Sequence, residues 1–330
     1  MESEYSSRFQ KYFRDRIQDL IRLDHKGNNI LFEAIIGDKR YLIKLYSAIH
    51  RDNWNRGLSE FRAMSHLWNN GLREIPEPFL FHQQENTAIY SYEEGRILKS
   101  AEVEKEDIIN AADFLARMHN LGDKNMFGPA SSACFSLSDY AKVLDRRLGS
   151  MIDYQPTGIN GKKAKKFLDT KVIPKISEIK KEFFKNSQGL DIEKEIPLEE
   201  QVLASGDFGF HNILKSDRYT FLDFEYFGRD DPIREILYFL HHESSDGIKE
   251  ELKQLFIEEY MKRRFISDSF KERLHRLDPL IGMTLVLIYL NILSDKQQEH
   301  LRFSRGDIDG LLEERLEKAE KKLKKFRHFN

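Results

Sequence analysis

The segment Ser205-Gly206-Asp207-Phe208-Gly209-Phe210-His211-Asn212, continued by Phe221-Leu222-Asp223-Phe224-Glu225, constrains this chain more than any other. Two short apolar runs, Ile213-Leu214 and Tyr219 to Leu222, flank the polar turn Lys215-Ser216-Asp217-Arg218, a pattern that predicts a β-hairpin. The base of such a hairpin brings Asn212 and Asp223 close together. An amide oxygen beside a carboxylate offers hard oxygen ligands to Mg²⁺, an ion that keeps positions open for phosphates and water. Asp207, in the Gly-flanked loop before the hairpin, is left free to orient a hydroxyl or accept its proton. Phosphoryl transfer needs this division of labour, because that chemistry is mostly positioning and charge neutralisation. One Asp beside a Gly is ordinarily a loop residue. Three such side chains around one hairpin point to a site.

Something must also hold the phosphates of a nucleotide. Lys44 is the charged residue of the otherwise apolar run Tyr41-Leu42-Ile43-Lys44-Leu45-Tyr46. A helix pattern follows it and carries Glu60. Kinases hold such a Lys with a helical Glu so that the ammonium points at the α- and β-phosphates. Glu33 competes for the role, but its place on the preceding strand predicts a solvent-facing side chain. In the loop His25 to Asn29, before that strand, the backbone amides around Gly27 and Asn28 can form a phosphate-binding nest. No G-x-x-x-x-G-K-[ST] run occurs, which argues against a P-loop nucleoside triphosphatase.

The chain has 330 residues, 40% of them hydrophobic, enough for two lobes with a sizeable core. A net charge of −2 gives no argument for nucleic acid or an anionic membrane. The single Cys134 excludes a disulfide framework and reads as a buried free thiol. Met1 to Tyr5 show no signal-peptide pattern. The apolar run Leu280–Leu293 reads as a buried helix too short to span a bilayer. A cytoplasmic protein with no membrane span is expected.

Phe9, Phe13, Ile17 and Leu20 predict an opening helix over about Tyr5 to Leu23. Strands follow at Ile30–Ile36 and Arg40–Leu45 around the turn Gly37-Asp38. A helix over about Asn55 to Trp68 ends at Asn69-Asn70-Gly71. Strands near Phe79–His82 and Thr87–Tyr92 complete a small sheet. Beyond Gly95 the pattern turns helical, including Leu137–Leu148, a basic stretch from Lys162 to Asn186, and a closing helix over about Asp307 to Phe326.

The 205–232 segment resembles the signature of the aminoglycoside phosphotransferase and choline kinase family, small-molecule kinases with a protein-kinase-like fold. The resemblance implies that Asp207 is the catalytic base, that Asn212 and Asp223 are metal ligands, and that ATP and Mg²⁺ are required. Tyr226-Phe227-Gly228-Arg229-Asp230-Asp231-Pro232 matches the Gly-Asp-Pro-like stretch before the family's next helix. The family usually has His where this chain has Ser205. The connection Ile89 to Gly95 resembles the family's hinge, which implies adenine contacts from the backbone of Ser91 and Glu93. The helix Ala111–His119 is similar to a family helix ending in Leu-His, with His119 structural. The fold implied is α+β and two-lobed. Residues 1–95 form a nucleotide-binding N-lobe, a small antiparallel sheet with a helix, and residues 96–330 a larger, mainly helical C-lobe with the catalytic loop, metal site and acceptor site.

The reading that follows is an ATP- and Mg²⁺-dependent phosphotransferase acting on a hydroxyl of a small-molecule acceptor. The lysines of 162–185 suit neither cationic acceptor class of the family and point to a sugar or a polysaccharide precursor, unless they are only a solvated face. Two alternatives stand beside it. A protein kinase on the same fold is disfavoured because Asp223 runs into Asp231-Pro232 with no activation segment between them. A silent nucleotide-binding scaffold is disfavoured because Asp207, Asn212, Asp223 and Lys44 are all present.

Overall fold

A computed structural model describes residues 2–24, 29–46, 54–264, 267, 269–294 and 309–325. The first half of the chain supplies α1 (Glu2–Gln10), β1 (Asp19–Leu23), β2 (Ile30–Ile36), β3 (Lys39–Leu45), α2 (Arg56–Asn69), β4 (Pro78–His82), β5 (Thr87–Ser91), β6 (Arg96–Ile97) and α3 (Lys105–His119). Three helices follow, α4 (Leu137–Ile152), α5 (Gly158–Phe167) and α6 (Ile173–Asn186). The short strands β7 (Val202–Ala204), β8 (Ile213–Lys215), β9 (Tyr219–Phe221) and β10 (Gly228–Asp230) come next. The chain closes with α7 (Pro232–His241), α8 (Glu250–Arg263), α9 (Ser269–Leu290) and α10 (Asp309–Lys325). An N-terminal antiparallel sheet followed by a mainly helical remainder is the α+β class expected.

The chain gathers into two compact units. One comprises Met1–Ala133, Val202–Asp230 and Ser244–Phe265; the other comprises Cys134–Gln201, Asp231–Glu243 and Ile266–Asn330. The large sheet and the hairpin that follows the Gly-flanked Asp207 loop therefore belong to the same unit.

The sheet is five-stranded in the order β1-β2-β3-β5-β4, all antiparallel. Its first strand corrects the predicted opening helix, which stops at Gln10. The Gln10 side chain closes the turn, donating to the Asp15 carbonyl (2.9 Å) and accepting from Ile17 N (2.9 Å). The chain then runs back along β2 with Leu20 opposite Ala34. Phe9, Ile17 and Leu20 still meet in one core with Phe32, Ala34, Ile43 and Ile89. Burial satisfied the helical spacing and the strand alike, so periodicity alone could not separate them. Each large apolar side chain buried there contributes about 1.5–3 kcal/mol.

α2 begins where Asn55 caps it, its Oδ1 accepting from Leu58 N at 3.0 Å. Gly57 lets its first turn lie flat on the sheet. A Cβ there would stand 2.7 Å from Tyr46 and Asn86 and 2.9 Å from Phe81.

In the second unit, α9 packs against α4, α6, α7 and α10. The apolar run Leu280–Leu293 is the second half of this longer helix and the single turn after it. By length and composition Ser269–Leu293 could cross a membrane, but 67% of its most apolar window is buried inside the protein. The basic stretch forms α5 and α6, joined through a π-helical turn at Leu168–Val172. Cys134 is buried and not in a disulfide.

Candidate active site

The hairpin forms as its sequence predicts, with Ile213 opposite Phe221 and Lys215 opposite Tyr219. Two contacts fix it to α3. The rings of Phe114 and Phe221 stack at 3.7 Å, with Phe208 of the preceding loop 5.8 Å from Phe221 and 6.4 Å from Phe114. Below them the buried carboxylate of Asp107 accepts from Lys215 Nζ and Tyr219 OH, both at 2.6 Å. The Asp207 loop and the hairpin thus ride on one helix.

Ser205, in the place of the usual His, is buried, and Asp207 N lies 3.4 Å from its Oγ. A hydroxyl therefore supports the loop. Gly206 has φ +82°, and a Cβ there would come within 2.7 Å of the Tyr226 Cβ. Gly206→Ala combines an unfavourable backbone conformation with a clash. It is expected to lower stability by about 1–3 kcal/mol, measurable as a shift in the urea midpoint.

The Asp207 carboxylate is partly exposed, with Oδ1 3.3 Å from His211 Nε2. Asn212 Nδ2 donates to the Asp207 carbonyl at 3.0 Å and lies 3.1 Å from His211 Nε2. With its nitrogen so committed, Asn212 offers its amide oxygen to a ligand. Leu222 N donates to the Asn212 carbonyl at 2.8 Å, which joins the two ends of the hairpin as predicted.

Asp223 takes the left-handed conformation, φ +65°, an uncommon state for a side-chain-bearing residue and one that clusters at functional sites. Among the described residues, its buried Oδ1 has no hydrogen-bond partner. Burial raises its pKa to about 7; Lys44 opposes that rise, and Glu60, Glu225 and Asp207 add to it. One carboxylate oxygen each from Glu60, Asp223 and Glu225 lie within 4.8 Å of one another. An orphaned buried oxygen among carboxylates fits a hard divalent cation.

Lys44 and Glu60 are both buried and pair at 2.7 Å. Burial alone would discharge Lys44, but the carboxylates of Glu60, Asp223 and Glu225 outweigh it and hold its pKa above the ordinary value. Tyr46 OH also donates to Glu60 Oε2 (2.6 Å) and meets Tyr90 OH at 3.0 Å. Glu33, expected to face solvent, is instead buried against Arg40. It has its own cation, which leaves Glu60 to Lys44.

Ser91 N–H donates to the Glu77 carbonyl at 2.9 Å, so the sheet edge uses that donor. Its hydroxyl donates to Glu93 Oε1 at 2.6 Å, and Glu93 also pairs with Arg218. Gly27 and Asn28 lie outside the described residues. His119 is buried with its Nδ1 2.8 Å from Tyr260 OH, in keeping with a structural histidine. In the second unit, Asp231 caps α7 by accepting from Ile233 N at 3.0 Å and also accepts from Tyr140 OH at 2.8 Å.

Glu225, two residues after Asp223, collects contacts from distant parts of the chain. Arg56 Nη1 is 3.3 Å from its Oε1, Asn29 Nδ2 is 3.3 Å from its Oε2, and Trp54 Nε1 donates to its carbonyl at 2.7 Å. No local pattern announces these contacts, because the partners are remote in sequence.

Residues 28–274 match the family model described as the phosphotransferase enzyme family. Among solved structures, the chain is similar to a spectinomycin phosphotransferase crystallised with ADP and spectinomycin. That match has a TM-score of 0.65 and 13% identity, and covers 97% of this chain and 98% of the other. A choline/ethanolamine kinase family protein from Mesorhizobium loti matches with a TM-score of 0.64 at 13% identity, over 98% and 95% of the two chains. The choline kinase LicA from Streptococcus pneumoniae matches with a TM-score of 0.59 at 16% identity, over 98% and 99%. No curated protein matches the chain in sequence.

Proposed function

This chain belongs to the phosphotransferase enzyme family, and from that premise we propose that it transfers the terminal phosphoryl group of ATP, with Mg²⁺, to a hydroxyl of a small molecule. The observation that carries the reading is the buried, unpartnered Asp223 oxygen beside the Lys44–Glu60 pair. In this reading residues 1–95 serve the nucleotide, and residues 96–330 supply the catalytic loop, metal site and acceptor side.

Asp223 and Asn212 hold the divalent cation. When bound, that ion neutralises phosphate charge and orients the terminal phosphoryl group. Lys44, kept charged by its carboxylate neighbours, binds the phosphates nearer the ribose. Asp207 orients the acceptor hydroxyl and takes its proton. The acceptor oxygen bonds to phosphorus as the bridging P–O bond breaks, and ADP leaves. The hinge after β5 lies against the adenine, with the backbone of Glu93 and its neighbours as the contacts.

The acceptor we favour is a sugar or polysaccharide precursor. Lys162, Lys163 and Lys166 of α5 are exposed, which supports a neutral or anionic acceptor over a polycation. A screen for ADP release, with ATP and Mg²⁺, against sugars, phosphorylated sugars, choline, ethanolamine and spectinomycin tests this. Turnover confined to the sugars is expected. Turnover confined to the cationic acceptors would sink the acceptor assignment and leave the kinase reading standing.

A further inference from the structure

α2 has an arginine in its first turn and no acid there. A cation at a helix N-terminus faces the positive end of the helix dipole and weakens the helix, so Arg56 is not placed there for the helix's sake. Its guanidinium reaches Glu225 (3.3 Å) and lies 5.0 Å over the ring of Tyr226. Two residues earlier, the Trp54 indole N–H donates to the Glu225 carbonyl at 2.7 Å. The start of α2 therefore grips the backbone, the carboxylate and the following ring of the loop that carries Asp223.

One helical turn after Arg56, on the same face, stands Glu60. Its carboxylate takes Lys44 at 2.7 Å and Tyr46 OH at 2.6 Å. The same helix is pinned to the sheet at Gly57, where no side chain fits between it and Tyr46, Asn86 and Phe81. α2 thus has two points of attachment along one face, one on the metal-loop segment and one on the phosphate lysine, with a fixed seat between them.

We propose that Arg56 is a positioning residue: by clamping Glu225 it holds the Asp223 loop in register with Glu60 and Lys44, so that α2 sets the spacing between the metal site and the phosphate lysine. The inference rests on the function proposed above and deepens it. In this reading Arg56 acts through Glu225. Asn29, just ahead of β2, adds a third attachment on Glu225 Oε2 at 3.3 Å.

The test compares ATP binding with Mg²⁺ and with EDTA, by calorimetry, on wild type, Arg56→Gln, Arg56→Lys, Glu225→Gln and the double variant Arg56→Gln/Glu225→Gln. Arg56→Gln is expected to weaken Mg·ATP binding about tenfold and leave metal-free ATP binding within about twofold, with Arg56→Lys recovering part of the loss. The double variant should bind Mg·ATP no worse than the weaker single one, as residues acting through one contact do. Equal loss of both binding modes, or additive losses in the double variant, would overturn the clamp. Where Arg56→Gln fails to fold, Trp54→Phe removes the indole N–H together with part of the ring, keeps an aromatic side chain, and should show the same selective loss of Mg·ATP; unchanged binding in that variant counts against the proposal. Wild type that binds ATP identically with Mg²⁺ and EDTA would remove the metal-dependent reading itself, a result distinct from any outcome in the variants.

Discussion

Asp207→Asn should reduce phosphoryl transfer by about a thousandfold, the range of a lost general base, while Mg·ATP binding stays within about twofold. The asymmetry follows from position. The Asp207 carboxylate is partly exposed on its Gly-flanked loop, with Oδ1 3.3 Å from His211 Nε2. In the proposed reaction it serves the acceptor hydroxyl, so the loss belongs to the transition state and appears in kcat. The measurement is single-turnover transfer to an acceptor found by the screen, alongside calorimetry with Mg·ATP. Near-normal transfer by the variant would remove Asp207 from the chemistry.

The second large effect has opposite signs in stability and in binding. Asp223 carries a folded pKa of about 7 against an ordinary 3.8, chiefly because it is buried. A carboxyl raised on folding takes up a proton as the chain folds. Its contribution is therefore most favourable below the unfolded value and is lost as pH rises towards the folded one, at up to about 1.4 kcal/mol per pH unit. Asp223→Asn, neutral at every pH, is expected to melt higher than metal-free wild type above pH 7, with the gap closing towards pH 4. The same variant loses the anionic ligand and should bind Mg·ATP at least about a hundredfold more weakly. For wild type the sign predicts Mg²⁺ affinity that falls as pH drops below about 7, as protons compete for the carboxylate. A variant less stable than wild type at pH 8 would show that Asp223 is a structural acid.

Where the chemistry and the local fold coincide, the sequence was readable. The hairpin of β8 and β9, the turn between β2 and β3, and the Asn55 cap of α2 are set by residues within a few positions of one another. The Lys44–Glu60 pair was readable for a different reason: a lone cation in an apolar strand needs a buried acid, and the next helix offered one. What stayed hidden depends on distance along the chain. The opening helix stops at Gln10 because of a side chain that caps the turn at Asp15 and Ile17, although helical spacing runs on past it. Glu33 looked solvent-facing until β3 brought Arg40, which stands opposite Ile35, diagonally against it. Glu225 gained its importance from Arg56, Trp54 and Asn29, which only the folded chain brings beside it.

The most direct test of the metal-and-nucleotide site is a melting-temperature titration with ATP, with and without Mg²⁺, on wild type and Asp223→Asn. Binding to the native state alone stabilises it by about 2.7 kcal/mol at a hundred times the dissociation constant. The account predicts that wild type gains several degrees with Mg·ATP and markedly less with ATP alone, and that Asp223→Asn loses the Mg²⁺-dependent part. The same Mg²⁺-dependent gain in both proteins would contradict the placing of the metal at Asp223.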